Sequence, residues 1–144
     1  MTIRPATRED FEKARAWLVA AGLPTADLGD THREHFLVAV TGDAPVGVVG
    51  LEPFADTGLL RSLVVDPSAR SSGIGRTLVT ALETYAATQG VKELWLLTID
   101  AASYFETLDY KVVDRNTAPD SVRNTAEFSK LCPGDATLMM KRLG

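Results

Sequence analysis

The residues Arg70-Ser71-Ser72-Gly73-Ile74-Gly75 combine types and spacing that could do chemistry. Glycine accepts positive φ and lets another group approach the backbone, and the first amides of a helix have no partner inside it. A loop of this composition at a helix start can hold an anion on the amides of Ser71 to Arg76, with Arg70 or Arg76 adding a charge-assisted contact. Taken alone, the string fits a plain strand-to-helix turn equally well. It is not a Walker loop, because Gly75 is followed by Arg76-Thr77 and the loop has no lysine, so it does not point to a nucleoside triphosphate. It is not a dinucleotide fingerprint either, because Leu78 occupies the third-glycine position.

Arg61 is the second residue of chemical interest. A guanidinium in the apolar run Leu59 to Val65 is costly without an acidic partner. It could clamp the carboxylate of a bound molecule, form an internal ion pair, with Glu52 as one candidate, or snorkel to the surface. His32 and His35 are expected to cap or flank the second strand, and Cys132, with no base beside it in sequence, reads as a small packed residue.

Several elements must position these groups. Leu59 to Val65 is short, apolar and rich in branched residues, and Asp66-Pro67 ends it, which predicts a mostly buried strand. From Ile74, the residues Leu78, Ala81, Leu82 and Tyr85 recur at helical spacing up to a stop at Gly90. Upstream, Ile3 to Pro5 predicts a strand, and Thr7 with Asp10 a helix cap. Phe11, Ala14, Leu18 and Ala21 then predict a helix ending at Gly22, and Pro24 to Arg33 a polar segment with a short helical piece. Phe36 to Thr41 and Val46 to Leu51 read as a hairpin around Gly42 to Pro45, and Asp56 to Gly58 as the next turn. Downstream lie a strand at Glu93 to Thr98, a short helix at Ala102 to Leu108 and a strand at Tyr110 to Asp114. A helix around Asp120 to Phe128 and a strand at Thr137 to Lys141 follow. This order implies an α/β (α+β) fold: a mixed, mainly antiparallel sheet of about six or seven strands with helices on both faces.

The chain has 144 residues and a net charge of −4, with its basic residues scattered. One domain spanning residues 1–144 is expected, with no nucleic-acid partner. No run approaches a membrane span and Met1 to Asp10 lacks the pattern of a signal peptide, so a cytoplasmic protein with no membrane partner is expected. One cysteine permits no internal disulfide, and with two histidines no zinc set can be assembled from Cys and His, so no metal is expected. Pairing of an exposed strand makes a homodimer plausible, although no residue specifies it.

Arg70, Gly73 and Gly75 match the acetyl-CoA motif of the GNAT superfamily of N-acetyltransferases: Gln or Arg, two residues, Gly, one residue, then Gly or Ala. Leu63 to Pro67 is similar to that family's preceding strand, and Ala102 to Tyr110 to its late helix and following strand. Two narrower likenesses are visible. Leu51 to Phe54, Leu97-Thr98 and Tyr104 to Glu106 resemble the acetyltransferase domain of N-acetylglutamate synthases. Thr125 to Pro133 resembles acetyltransferases encoded with arsenic-resistance genes.

The resemblance implies acetyl-CoA as donor, an N-acetyltransferase reaction, and a small amine, amino-acid-like, as acceptor. A non-catalytic acyl-CoA-binding or sensing domain is the alternative. The cofactor set so implied is Leu63, Val64, Val65, Arg70, Ser71, Ser72, Gly73, Ile74, Gly75, Arg76 and Phe105. Within it, the pantetheine arm lies along Leu63 to Val65 as an added strand, with amides that polarise the carbonyl. Glu52, at the end of the preceding strand, is the candidate base, directly or through water, against the alternative of a solvated strand-end carboxylate. The family's thiolate-protonating tyrosine aligns with Phe105, and Tyr104 stands one residue early, about 100° around a helix. Tyr104 is therefore the candidate donor, against the alternative of a packed aromatic. Arg61 is the candidate clamp for an acceptor's carboxylate.

Overall fold

The computed structural model describes residues 1–23, 25, 34–69, 73–125, 128 and 136–143. Seven strands form one sheet in the order β1-β2-β3-β4-β5-β7-β6. They are β1 (Thr2–Pro5), β2 (Phe36–Thr41), β3 (Ala44–Phe54), β4 (Thr57–Val65), β5 (Glu93–Thr98), β6 (Lys111–Val113) and β7 (Thr137–Arg142). Every pairing is antiparallel except that of β4 with β5. The connection between those two strands contains the longest helix, as a parallel crossover requires.

Among the described residues the α-helices are α1 (Arg8–Ala20), α2 (Ile74–Thr88), α3 (Ala102–Glu106) and α4 (Asp120–Arg123). Side chains alternate across the sheet. On one face Leu37, Ala39, Val49 and Leu60 pack with Ile74, Leu78, Val79 and Leu82 of α2. On the other face Phe36, Val38, Val40 and Val48 pack with Phe11, Ala14 and Leu18 of α1. The predicted apolar face of α2 is thus turned slightly, with Val79 and Ala86 buried and Ala81 and Tyr85 at its rim.

Thr7 and Asp10 form a capping box at the start of α1, as expected. Burial raises the Asp10 pKa, but hydrogen bonds from Arg4, from the Thr7 amide and from the Thr7 hydroxyl outweigh it and hold the carboxyl below its ordinary value. Two boundaries differ from the sequence reading. The turn after β3 is Ala55-Asp56, with Ala55 at φ 58°, so β4 begins at Thr57 inside the predicted turn. β3 runs on to Phe54, which places Glu52 inside the strand opposite Leu59. The polar segment predicted from Pro24 to Arg33 lies outside the described residues except for Thr25. Of the helix predicted to reach Phe128, Asp120 to Arg123 are helical as α4.

Candidate active site

β4 does two things that a regular strand does not. Its pairing with β3 shifts register between Val48 and Gly50, and Ser62 adopts φ 61° within the irregularity. Left-handed backbone costs a non-glycine residue roughly 1 kcal/mol or more, so the surrounding ladder must hold it there. A bulge of this kind bends its strand and increases the local twist. Accordingly, the parallel ladder with β5 covers only Thr57 to Leu59, ending at the Leu59–Trp95 pair, whereas β5 keeps its pairing with β7 from Glu93 through Thr98. The strands part beyond that point. Between Leu60 to Val65 on one side and Leu96 to Thr98 on the other lies a cleft of about 1050 Å³.

The far end of the cleft is the start of α2. Asp66 and Pro67 end β4: the Asp66 carboxylate accepts from the Ser68 amide at 3.0 Å and from its hydroxyl at 2.9 Å, folding a short turn over Pro67–Ala69. Gly73 then caps α2 at φ 81°, with no side chain to satisfy the amides that follow. Among the described residues the amides of Ile74, Gly75 and Arg76 have no hydrogen-bond partner, which is the state that favours an anion. Arg70, Ser71 and Ser72, the first half of the predicted cradle, lie outside the described residues.

Of the site residues read from the sequence, the fold brings Arg61, Leu63, Val64, Val65, Gly73, Ile74, Gly75, Arg76, Tyr104 and Phe105 to this one cleft. They do not all present side chains to it. Val64 and Ile74 are 6% and 7% exposed, and their side chains belong to the two cores, so they contribute main chain. Phe105 is equally buried and stacks edge-on against both Tyr104 and Tyr110. The Tyr110 hydroxyl donates to Glu83 at 3.0 Å, and Lys141 donates to the same carboxylate at 3.0 Å and to the Leu108 carbonyl at 3.1 Å. Burial first, then the Glu83 charge and hydrogen bond, push the Tyr110 phenol far above its ordinary range. This network pins α3 onto α2 and β7.

Tyr104 is packed on one side by Phe105 and is 39% exposed, and its hydroxyl lies against Gly75, where a methyl group would come within 2.5 Å of it. Burial raises its phenol pKa and the nearby Arg76 charge opposes this.

The Glu52 carboxylate does not line the cleft. It accepts from Arg61 Nη1 at 3.0 Å, and Arg61 Nε donates to Ser62 Oγ at 3.1 Å. The Arg61 side chain has no solvent exposure and that of Glu52 has 16%. The structure thus contains the internal ion pair weighed for Arg61, and Glu52 lies inside β3, not at a strand end. The two share the face of the sheet that carries Leu59 and Trp95.

His35 Nδ1 lies 2.7 Å from the Tyr85 hydroxyl at the start of β2, away from the cleft. His32 and Cys132 lie outside the described residues. The sequence reading passed over the opposite wall, Leu96 to Ala101, and the end of α1 at Ala20 to Leu23. A signal for the former was present: Thr98 Oγ1 accepts from the Ala101 amide at 3.0 Å, a local capping contact at the exit of a strand. Among the described residues no helix is long and apolar enough to cross a membrane.

Comparison with known proteins agrees with this geometry. The model of the acetyltransferase (GNAT) family matches residues 3–109. An uncharacterized N-acetyltransferase of Chlorobaculum tepidum is 32% identical over 85 residues, covering 58% of this chain and 54% of its own. The chain thus spans about half the length of that curated relative. Among solved structures, N-acetylglutamate synthase from Neisseria gonorrhoeae, complexed with coenzyme A and N-acetyl-glutamate, superposes with a TM-score of 0.86 at 20% identity. The match covers 99% of this chain and 35% of that one. A Mycobacterium tuberculosis protein in complex with CoA gives a TM-score of 0.82 at 19% identity over 99% of both chains. At identities of 20% and 19% these superpositions show the fold alone. By the family model, with the fold in agreement, the chain belongs to the acetyltransferase (GNAT) family.

Proposed function

We propose that this chain is an acetyl-CoA-dependent N-acetyltransferase that passes acetyl directly to the amine of a small, amino-acid-like acceptor, and that residues 1–144 form one such domain. The parting of β4 from β5 carries this reading. It leaves a peptide-width slot beside a bent strand, open at one end onto uncapped helix amides, as a pantetheine arm followed by a diphosphate demands. Coenzyme A is bound by the structural neighbours from Neisseria gonorrhoeae and Mycobacterium tuberculosis.

In the proposed reaction, main-chain amides of Leu63 to Val65 orient the thioester and polarise its carbonyl. The acceptor nitrogen attacks the carbonyl carbon, the C–S bond breaks, and the CoA thiolate takes a proton from solvent. The attacking nitrogen gives up its proton to water. The amine of a free amino acid, beside its own carboxylate, is more basic than a peptide's α-amino group at about 7.7 to 8.0, so little of it is neutral at pH 7 and the acceptor must lose a proton before it attacks. Glu52, paired with Arg61 and set back from the cleft, could take that proton only through intervening water. Arg61, buried and paired with Glu52, would clamp an acceptor's carboxylate only by giving up that pair. Glutamate-like amino acids are the first acceptors to screen, in keeping with the N-acetyl-glutamate held by the Neisseria gonorrhoeae enzyme, with arsenic- and phosphorus-containing analogues beside them.

The test follows free thiol release from acetyl-CoA across a panel of amino acids and analogues. Turnover with an acidic amino acid supports the reading, and silence across the panel refutes it. One observation favours a second reading, a non-catalytic acyl-CoA sensor: the aligned donor position holds buried, hydroxyl-free Phe105. Calorimetric binding of acetyl-CoA without any turnover would establish that alternative. A cytoplasmic location and a homodimer belong to the same set of proposals.

A further inference from the structure

Tyr104 is the one phenol that opens onto the cleft, yet its hydroxyl points to the start of α2. Three observations define the arrangement. The hydroxyl lies where a Cβ on residue 75 would approach within 2.5 Å, while the ring carbon bearing it would stay at an ordinary 3.5 Å. The ring is held edge-on by Phe105, with centroids 5.5 Å apart, and Phe105 is fixed in turn by Tyr110. Among the described residues the hydroxyl has no hydrogen-bond partner, and it stands next to the equally unpartnered amides of Ile74, Gly75 and Arg76. A neutral O–H against Gly75, at the helix end that carries three unpartnered N–H donors and with the Arg76 charge near it, adds one more donor to a set that suits a phosphate oxygen.

We propose that Tyr104 is a binding residue for the diphosphate of the acetyl donor, that it takes no part in protonating the thiolate, and that its hydroxyl is the reason residue 75 must be glycine. This rests on the reading of the cleft as an acetyl-CoA site and adds a role for a residue that the family pattern leaves without one, since the aligned donor position is Phe105. The aromatic ring keeps its place without the hydroxyl, so Tyr104→Phe removes the donor alone.

The experiment compares two acetyl donors, acetyl-CoA and acetyl-pantetheine, the second lacking the diphosphate, together with calorimetric binding of CoA. For Tyr104→Phe we expect CoA affinity and kcat/KM for acetyl-CoA to fall about tenfold through KM, with kcat, its alkaline pH limb and the rate with acetyl-pantetheine unchanged. Gly75→Ala should weaken CoA binding, and Gly75→Ala/Tyr104→Phe should bind CoA more tightly than Gly75→Ala alone, because the colliding atom is gone. Equal loss of kcat with both donors, or loss of the alkaline limb, would identify a proton donor and overturn the proposal. Unchanged CoA affinity in Tyr104→Phe, or additive losses in the double variant, would overturn it and leave the acetyl-CoA reading intact. Absence of CoA binding by the unsubstituted protein would overturn both.

Discussion

Removing the carboxylate at position 52 is a sharp test of how this site is built. Arg61 Nη1 sits 3.0 Å from Glu52 Oε2, the guanidinium has no exposure, and the carboxylate keeps 16%. With charge centres ~4 Å apart and an effective dielectric of ~20, their attraction is about 4 kcal/mol, offset by the cost of taking the guanidinium out of water. Glu52→Gln leaves a neutral acceptor in nearly the same place, so most of the attraction disappears while the buried cation remains. We expect a loss of about 2 to 3 kcal/mol of unfolding free energy, seen as a Tm lowered by roughly 6 to 10 °C for a chain of this size. Arg61→Met removes the buried charge and keeps the volume of the stem, and the half-wet carboxylate can then rehydrate or take up a proton. That variant should lose less, about 1 kcal/mol. Urea denaturation of both variants at pH 7, read as the shift in midpoint at constant m, measures the two losses. A greater loss for Arg61→Met than for Glu52→Gln, or a Glu52→Gln variant that unfolds at the parent midpoint, would refute this account of the pair.

Other perturbations follow from the same coordinates. Saturating the protein with CoA at about 100 times its Kd should raise stability by ~2.7 kcal/mol, a Tm increase of several degrees by scanning fluorimetry, and no shift would count against the proposed donor site. Gly50→Ala drives a methyl group into the Phe36 ring, which in turn is held edge-on by Phe11 at 5.1 Å, and should cost about 1 to 3 kcal/mol in chemical denaturation. Tyr85, Tyr104 and Tyr110 all have phenol pKa values raised above 10.0 in the fold. The folded state therefore favours their protonated forms, with full stability below pH 10 and progressive loss above it; absorbance near 295 nm should show the tyrosinate of buried Tyr110 appearing only with unfolding. Asp10 has the opposite sign: its folded pKa lies below the ordinary 3.8, so its contribution is complete above that pH and lost as acid carries the solution through the lowered value. Asp10→Asn should flatten that part of the acid transition. Thr7→Ala, which deletes the other half of the capping box, should cost about 1 kcal/mol by urea denaturation at neutral pH.

The chain's own pattern determined most of the architecture. The unbroken apolar run Phe36 to Val40 marks a strand buried on both faces, helical spacing from Ile74 specifies the buried face of α2, and Asp66-Pro67, Gly73 and Gly90 punctuate the chain locally, so strand, turn and helix can be read without knowing their neighbours. The likeness at Arg70, Gly73 and Gly75 likewise needs only a short segment. What the linear order could not determine depends on pairs far apart in it. Whether Arg61 is a clamp or an ion-pair partner turned on Glu52 lying across a ladder whose register slips at a bulge, and bulge positions are set by the partner strand as much as by the strand itself. Tyr104 read as either a proton donor or packing, because its neighbours suggest only which face of a short helix it occupies. Its approach to Gly75 exists only because β5 leads α3 back past the start of α2, and that contact across 29 positions was decided by the tertiary fold alone.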